Sequence, residues 1–122
     1  FKTQDHNLFL GGDSGYDSHF KKIGETFGPF DLAILESGQY NKSWPNIHMM
    51  PEETVQASLD LRATLLLPVH WAKFGLAMHG WTEPIQRVLK EAKRLGVNVS
   101  TPMIGETLIV GEKYPEGAWW SR

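Results

Sequence analysis

Residues 8–16 constrain the fold most, because an apolar stretch runs there into two glycines and then a carboxylate. The large apolar side chains of residues 8–10 predict a buried strand. Gly11 and Gly12 let the backbone turn where a side chain would clash. We therefore expect Asp13 to lie just beyond the end of the strand, where its carboxylate is free to bind a metal ion or a proton.

Residues 64–70 repeat this arrangement with a different side chain, since a strongly apolar stretch ends at His70. In open α/β sheets, functional groups collect beyond the carboxyl ends of the strands. Taken separately, Asp13 is also a common turn former and His70 is also explained as a buried histidine bonded to backbone. Their joint occurrence at two strand ends favours a site for zinc, iron or manganese.

The composition narrows the class of protein. The 122 residues suffice for one domain, and their net charge of -2 gives no electrostatic case for nucleic-acid binding. No apolar run is long enough to span a bilayer. Cysteine is absent, which rules out disulfides and thiolate ligands and leaves His, Asp and Glu to bind a metal. The lack of cysteine is also compatible with the cytoplasm, which is the location we expect.

The apolar patterns predict a β-α-β-α-β-α-β-β order and therefore an α/β fold. Helices are expected to begin after Asp17 or Ser18, at Pro51, and after Thr82, with Gly96 ending the third. Strands are expected at residues 7–11, 31–35, 64–69, 97–100 and 106–110.

Other candidate site residues come from the loops between these elements. His48 precedes the second helix and is a candidate pocket lining, acid, base or phosphate contact, or else an exposed loop histidine. Tyr40 and Trp44 are candidates for a substrate wall and His79 for a pocket rim, although such loop residues often only pack locally. Glu36, at the end of the second strand, is expected either to enter the site or to bond loop backbone.

Several catalytic motifs are missing from the sequence. It has no P-loop, no Gly-x-Gly-x-x-Gly and no Gly-x-Ser-x-Gly elbow. Ser14 lies in an Asp-Ser-Gly segment but without a convincing Ser-His-Asp context. Nucleophilic serine catalysis is therefore disfavoured.

Four segments together resemble the C-terminal half of a metallo-β-lactamase-superfamily hydrolase. The resemblance covers residues 8–110 and is greatest to the branch of N-acyl-phosphatidylethanolamine phospholipase D and ascorbate-6-phosphate lactonase-like proteins. The segments that carry it are Gly12-Asp13-Ser14-Gly15-Tyr16, Phe27-Gly28-Pro29-Phe30-Asp31-Leu32-Ala33, His48-Met49-Met50-Pro51-Glu52-Glu53 and Pro68-Val69-His70-Trp71-Ala72-Lys73-Phe74.

The resemblance implies an αββα sandwich with a two-metal site at one edge, between its two halves. It implies that Asp13 bridges two divalent ions, zinc first with manganese and iron as alternatives, and that His70 is a terminal ligand of one of them. His48 matches a pocket histidine near the substrate in this branch, and the implied substrates are phosphodiesters, lactones and related small or lipid-like esters.

One departure from the family pattern is large. The His-x-His-x-Asp-His motif that supplies most of the family's ligands does not occur in this chain. We therefore expect residues 1–122 to be a single C-terminal half-domain, inactive by itself, whose partner is the N-terminal half of the same fold or a second copy. The alternative is a non-catalytic α/β fragment that binds a partner chain.

Overall fold

Three strands and three α-helices alternate along the chain in the computed structural model, which describes residues 1–121. Their bounds are β1 Leu8–Leu10, α1 His19–Phe27, β2 Leu32–Glu36, α2 Pro51–Asp60, β3 Leu66–Val69 and α3 Glu83–Leu95, followed by a 3-10 turn at Trp119–Ser121. The strands form one parallel sheet in the order β1-β2-β3. The predicted α/β class is confirmed.

The parallel register brings the carboxyl ends of the strands to one edge of the sheet. Leu10 pairs with Ile34, and Glu36 pairs with Val69. Hydrogen bonds extend both ladders beyond the strands. The Gly11 N–H donates to the Ile34 carbonyl at 2.8 Å, and the backbone N–H of the residue after β2 donates to the Val69 carbonyl at 3.0 Å. The segments that follow β1, β2 and β3 therefore leave the sheet side by side.

The three helices begin where the sequence predicts, and α3 ends at the predicted residue. Pro51 opens α2, where a missing N–H costs nothing, and the Glu53 carboxylate accepts the Met50 N–H at 2.8 Å. Gly96 ends α3 in the left-handed region with φ 72°. The longest helix has 13 residues, and within residues 1–121 none has the length and apolar character to cross a membrane.

The core lies on one face of the sheet, where the three helices pack. Phe9, Leu35 and Leu66 point into it among the buried side chains of the helices. Because side chains alternate along a strand, the neighbouring residues face the other way. Leu10, which is 61% exposed, and the half-buried Ile34 lie in one registered row of that second face. An apolar row is thus left uncovered by residues 1–121.

The two strands predicted after α3 are the main error in the expected element order. At residues 97–100 the structure contains a single parallel bridge, between Val99 and Leu66. The pairing stops because the next residues turn to another partner: the Ser100 hydroxyl and the Thr101 N–H both donate to the Pro115 carbonyl. At residues 106–110 there is again one bridge, within a tight turn around residue 111.

Candidate metal centre

Asp13 lies in the loop after β1, and this loop is held against the segment that carries His48. The Gly15 N–H donates to the Asn46 carbonyl at 3.1 Å. Gly15 approaches the backbone of Pro45 and Asn46 so closely that a side chain at this position would overlap with it. The Asp13 side chain is 57% exposed and stands open to a ligand.

His70 follows β3 directly and adopts the left-handed conformation, with φ 65°. This region is uncommon for residues other than glycine, so the turn is imposed by its surroundings. Gly38, in the segment after β2, lies so close to the His70 carbonyl that a Cβ there would collide with it. In this position His70 Nε2 is 3.7 Å from Asp13 Oδ1.

His48 reaches the same place from the loop before α2. The Met49 N–H donates to Glu36 Oε1 at 2.6 Å, which fastens this loop to the end of β2. The His48 side chain is only 13% exposed. Its ring stacks against the His70 ring, with centroids 5.4 Å apart and planes 26° apart.

Together these three side chains form a set of possible metal ligands. One donor atom each of Asp13, His48 and His70 lies within 4.8 Å of the other two. A carboxylate oxygen and imidazole nitrogens are ligands that zinc prefers, and tetrahedral zinc places such donors about 3–4 Å apart. The donor chemistry therefore fits a divalent ion, and small side-chain adjustments would bring the spacing into range.

Glu36 lies directly behind this cluster and is almost fully buried, at 1% exposure. Burial raises the pKa of its carboxyl group to about 7, while the hydrogen bond from the Met49 N–H opposes the shift. Its second oxygen, Oε2, faces His48 Nδ1 at 3.4 Å. Of the two alternatives that the sequence left open for Glu36, the structure shows the bond to loop backbone, and the carboxyl group lies next to His48.

The predicted substrate-binding residues lie in the loops beside the cluster. Tyr40 is buried, donates its hydroxyl to Glu83 at 2.7 Å and stacks on His79 with ring centroids 4.1 Å apart. The indole N–H of Trp44 donates to the Gln39 carbonyl at 2.7 Å. The polar groups of Tyr40 and Trp44 are therefore already paired within the chain.

Tyr40 and His79 border an open cleft of about 520 Å³ next to the start of α2. Its other lining residues are Asn41, Lys42, Met50, Met78, Glu83 and Arg87. Asp13, His48 and His70 are not among its lining, so this cleft adjoins the cluster through the loop of residues 48–50 and does not contain it.

A second cleft, of about 590 Å³, opens beside His70 and was missed by the sequence analysis. Trp71, Met103, Ile104 and Trp119 give it an apolar wall. Trp71 and Trp119 stack with centroids 5.2 Å apart. The pair Trp119 and Trp120 was a visible signal for such an aromatic surface, whereas nothing local in the sequence placed residues 103–104 beside His70.

Replacing Gly38 by alanine is expected to weaken metal binding by about 10- to 100-fold, the usual effect of disturbing what supports a ligand. The added Cβ would displace the His70 carbonyl and with it the imidazole. Zinc titration calorimetry on the full-length protein measures this. Gly12→Ala is the matched control, because its Cβ would meet nothing within 4 Å. Equal zinc affinity in Gly38→Ala and wild type would contradict the assigned support.

Comparison with known proteins gives concordant matches. Residues 1–71 match the family model of the beta-lactamase superfamily domain. The chain is 42% identical over 123 residues to an uncharacterized protein of Mycobacterium tuberculosis, covering 98% of this chain and 33% of that protein. It is 36% identical over 76 residues to N-acyl-phosphatidylethanolamine-hydrolyzing phospholipase D 1 of Caenorhabditis elegans, covering 60% of this chain and 21% of that one.

The solved structures agree at the level of the fold. A metallo hydrolase from Ignicoccus hospitalis superposes with a TM-score of 0.62 at 24% identity, covering 82% of this chain and 40% of that one. The chain spans about a third of the length of the Mycobacterium relative that it matches. With the family model covering more than half of the sequence, the chain belongs to the metallo-β-lactamase superfamily.

Proposed function

We propose that this chain is the C-terminal part of a metal-dependent hydrolase that cleaves phosphodiester, lactone or related ester bonds. The observation that carries the proposal is the meeting of Asp13, His48 and His70 donors within 4.8 Å at the edge of the sheet. Three separate segments converge there, which a purely structural role does not require. The superfamily membership supports hydrolysis as the reaction class.

Asp13 and His70 are the residues that would hold the metal. Asp13, on an exposed loop, has two carboxylate oxygens and suits a bridging position between two ions, zinc being the first choice. Two bound ions would polarise the scissile bond and lower the pKa of the attacking water. His70 would hold one of the ions, and its Nε2 lies 3.7 Å from Asp13 Oδ1.

His48 is assigned to the substrate in this scheme. Its ring lies against His70 and is shielded from solvent, so a group bound at the cluster would be within its reach. From there it would orient the ester and accept a proton from the attacking water. Tyr40, Trp44 and His79 would shape the neighbouring wall, with the His79 ring stacked on Tyr40.

The apolar cleft beside His70 favours an ester with a hydrocarbon part. Its wall of Trp71, Ile104 and Trp119 would remove such a group from water. The Caenorhabditis relative is named for hydrolysis of an N-acyl phospholipid, which agrees with a lipid-like substrate. Among the ester classes, we therefore propose lipid-like phosphodiesters as the first to test.

The remaining ligands would come from the N-terminal half of the fold. This half would also cover the apolar row of Leu10, Ile34 and Leu67 on the open face of the sheet. The same open face supports the alternative, a non-catalytic fragment that pairs with a partner chain or with a second copy. Metal content separates the two functions, since the alternative needs no ion.

In the full-length protein, Asp13→Ala and His70→Ala are each expected to lower both metal content and ester hydrolysis, because each removes a ligand. His48→Ala is expected to lower the rate of hydrolysis with metal content largely kept. Elemental analysis and a phosphodiester assay on the same preparations measure both effects. Unchanged metal content in Asp13→Ala would contradict the bridging role, and loss of metal in His48→Ala would make His48 a ligand.

Residues 1–122 alone are expected to show negligible hydrolysis, because Asp13 and His70 offer too few ligands to hold two ions. The assay uses a phosphodiester and a lactone with zinc or manganese added. Mixing with the separately produced N-terminal half is expected to restore activity. Robust turnover by residues 1–122 alone, abolished by a chelator and by His70→Ala, would show that the site is complete without the other half.

A further inference from the structure

Within residues 1–121, two buried polar atoms behind the cluster of Asp13, His48 and His70 have no hydrogen-bond partner. They are Glu36 Oε2 and His48 Nδ1, and they face each other at 3.4 Å. Buried polar groups in native proteins are nearly always paired, so two unpaired atoms in direct opposition call for an explanation. A small rotation of either side chain would bring them to hydrogen-bonding distance.

Contacts that do not involve the His48 ring hold the Glu36 carboxyl group in place. The other oxygen of Glu36 is already occupied by the Met49 N–H at 2.6 Å, which fixes the orientation of the carboxyl group. The backbone of Glu36 is also held, because the Thr54 hydroxyl donates to its carbonyl at 2.9 Å. Oε2 is therefore aimed at the His48 ring by contacts that do not involve the ring.

We propose that Glu36 is a positioning residue for His48: its Oε2 accepts the Nδ1 proton and so keeps Nε2 unprotonated for the reaction at the cluster. This inference rests on the proposed function for its catalytic consequence. A neutral imidazole carries its proton on one nitrogen only, and the bond made by one nitrogen decides the state of the other. Carboxylates behind functional histidines act in this way in metal sites.

A single carboxyl group would thereby control both the place and the protonation of His48. Oε1 holds the backbone immediately after the histidine, and Oε2 holds its ring. Whether His48 receives a proton or binds a metal ion, Nε2 needs its lone pair free. The Glu36 carboxylate would support His48 in the same way whether His48 accepts a proton or binds the metal as His70 does.

Glu36→Gln is the informative substitution, because it changes the hydrogen-bonding character and keeps the shape. The amide oxygen would still accept the Met49 N–H, while the amide NH₂ would face Nδ1 and donate to it. The proton of the imidazole would then move to Nε2. Nitrogen NMR of the histidine rings distinguishes protonated from unprotonated nitrogens, and His48→Ala identifies the His48 signals.

The spectra are recorded on the full-length protein after removal of metal, at mildly alkaline pH. We expect His48 in wild type to carry its proton on Nδ1 and in Glu36→Gln to carry it on Nε2. A wild-type His48 with its proton on Nε2, or a Glu36→Gln spectrum identical to wild type, would overturn the proposal. The wild-type spectrum alone decides the matter if Glu36→Gln fails to fold.

Glu53→Gln is the matched control. Glu53 also accepts a backbone N–H of the same loop, from Met50 at 2.8 Å, but within residues 1–121 it forms no hydrogen bond with His48. We expect it to keep the wild-type tautomer of His48 and the wild-type rate. Glu36→Gln is expected to lower kcat by about 10- to 100-fold at an unfolding temperature similar to that of Glu53→Gln. An unchanged kcat would contradict the catalytic consequence.

The two readouts separate this inference from the proposed function. If the full-length protein binds no metal and cleaves no ester while the tautomer shifts as expected, the proposed function fails and the pairing stands. If metal and activity are present but His48 carries its proton on Nε2, the pairing fails and the proposed function stands.

Discussion

Glu36 of β2 is aligned with Val69 of β3, and this parallel register is the constraint on which the candidate site depends. Parallel pairing sends the chain out of all three strands at the same edge, so the loops that carry Asp13, His48 and His70 begin side by side. A parallel sheet requires a crossover between strands, and the helices that provide it cover one face and leave the loops free at the edge. The position of the site therefore depends first on the topology of the sheet and only then on individual side chains.

Three close approaches then reduce the freedom of those loops. Gly15 rests on the backbone near residue 46, Gly38 rests on the His70 carbonyl, and the Glu36 carboxylate holds the Met49 N–H. Any side chain at either glycine would push two of the loops apart. The cluster is thus held mainly by backbone contacts, which leaves the side chains of Asp13 and His70 exposed and available to a ligand.

The sequence predicted those features that depend on local patterns. A few neighbouring residues are enough to predict that Asp13 and His70 follow the ends of strands. The same is true of the start of α2 at Pro51 and the end of α3 at Gly96. The position of His48 cannot be predicted from neighbouring residues, because it depends on a hydrogen bond between Glu36 and Met49, 13 residues apart. The strands expected after α3 were wrong for a related reason: residues 100–101 find a hydrogen-bond partner in Pro115, which no local pattern reveals.

A crystal structure of the full-length protein with zinc tests most directly whether Asp13 and His70 bind a metal ion. Anomalous scattering at the zinc edge locates the ions without reference to the protein. We predict a peak about 2.0–2.2 Å from both an Asp13 oxygen and a His70 nitrogen, the usual zinc distances. Zinc peaks that avoid both residues would contradict this prediction.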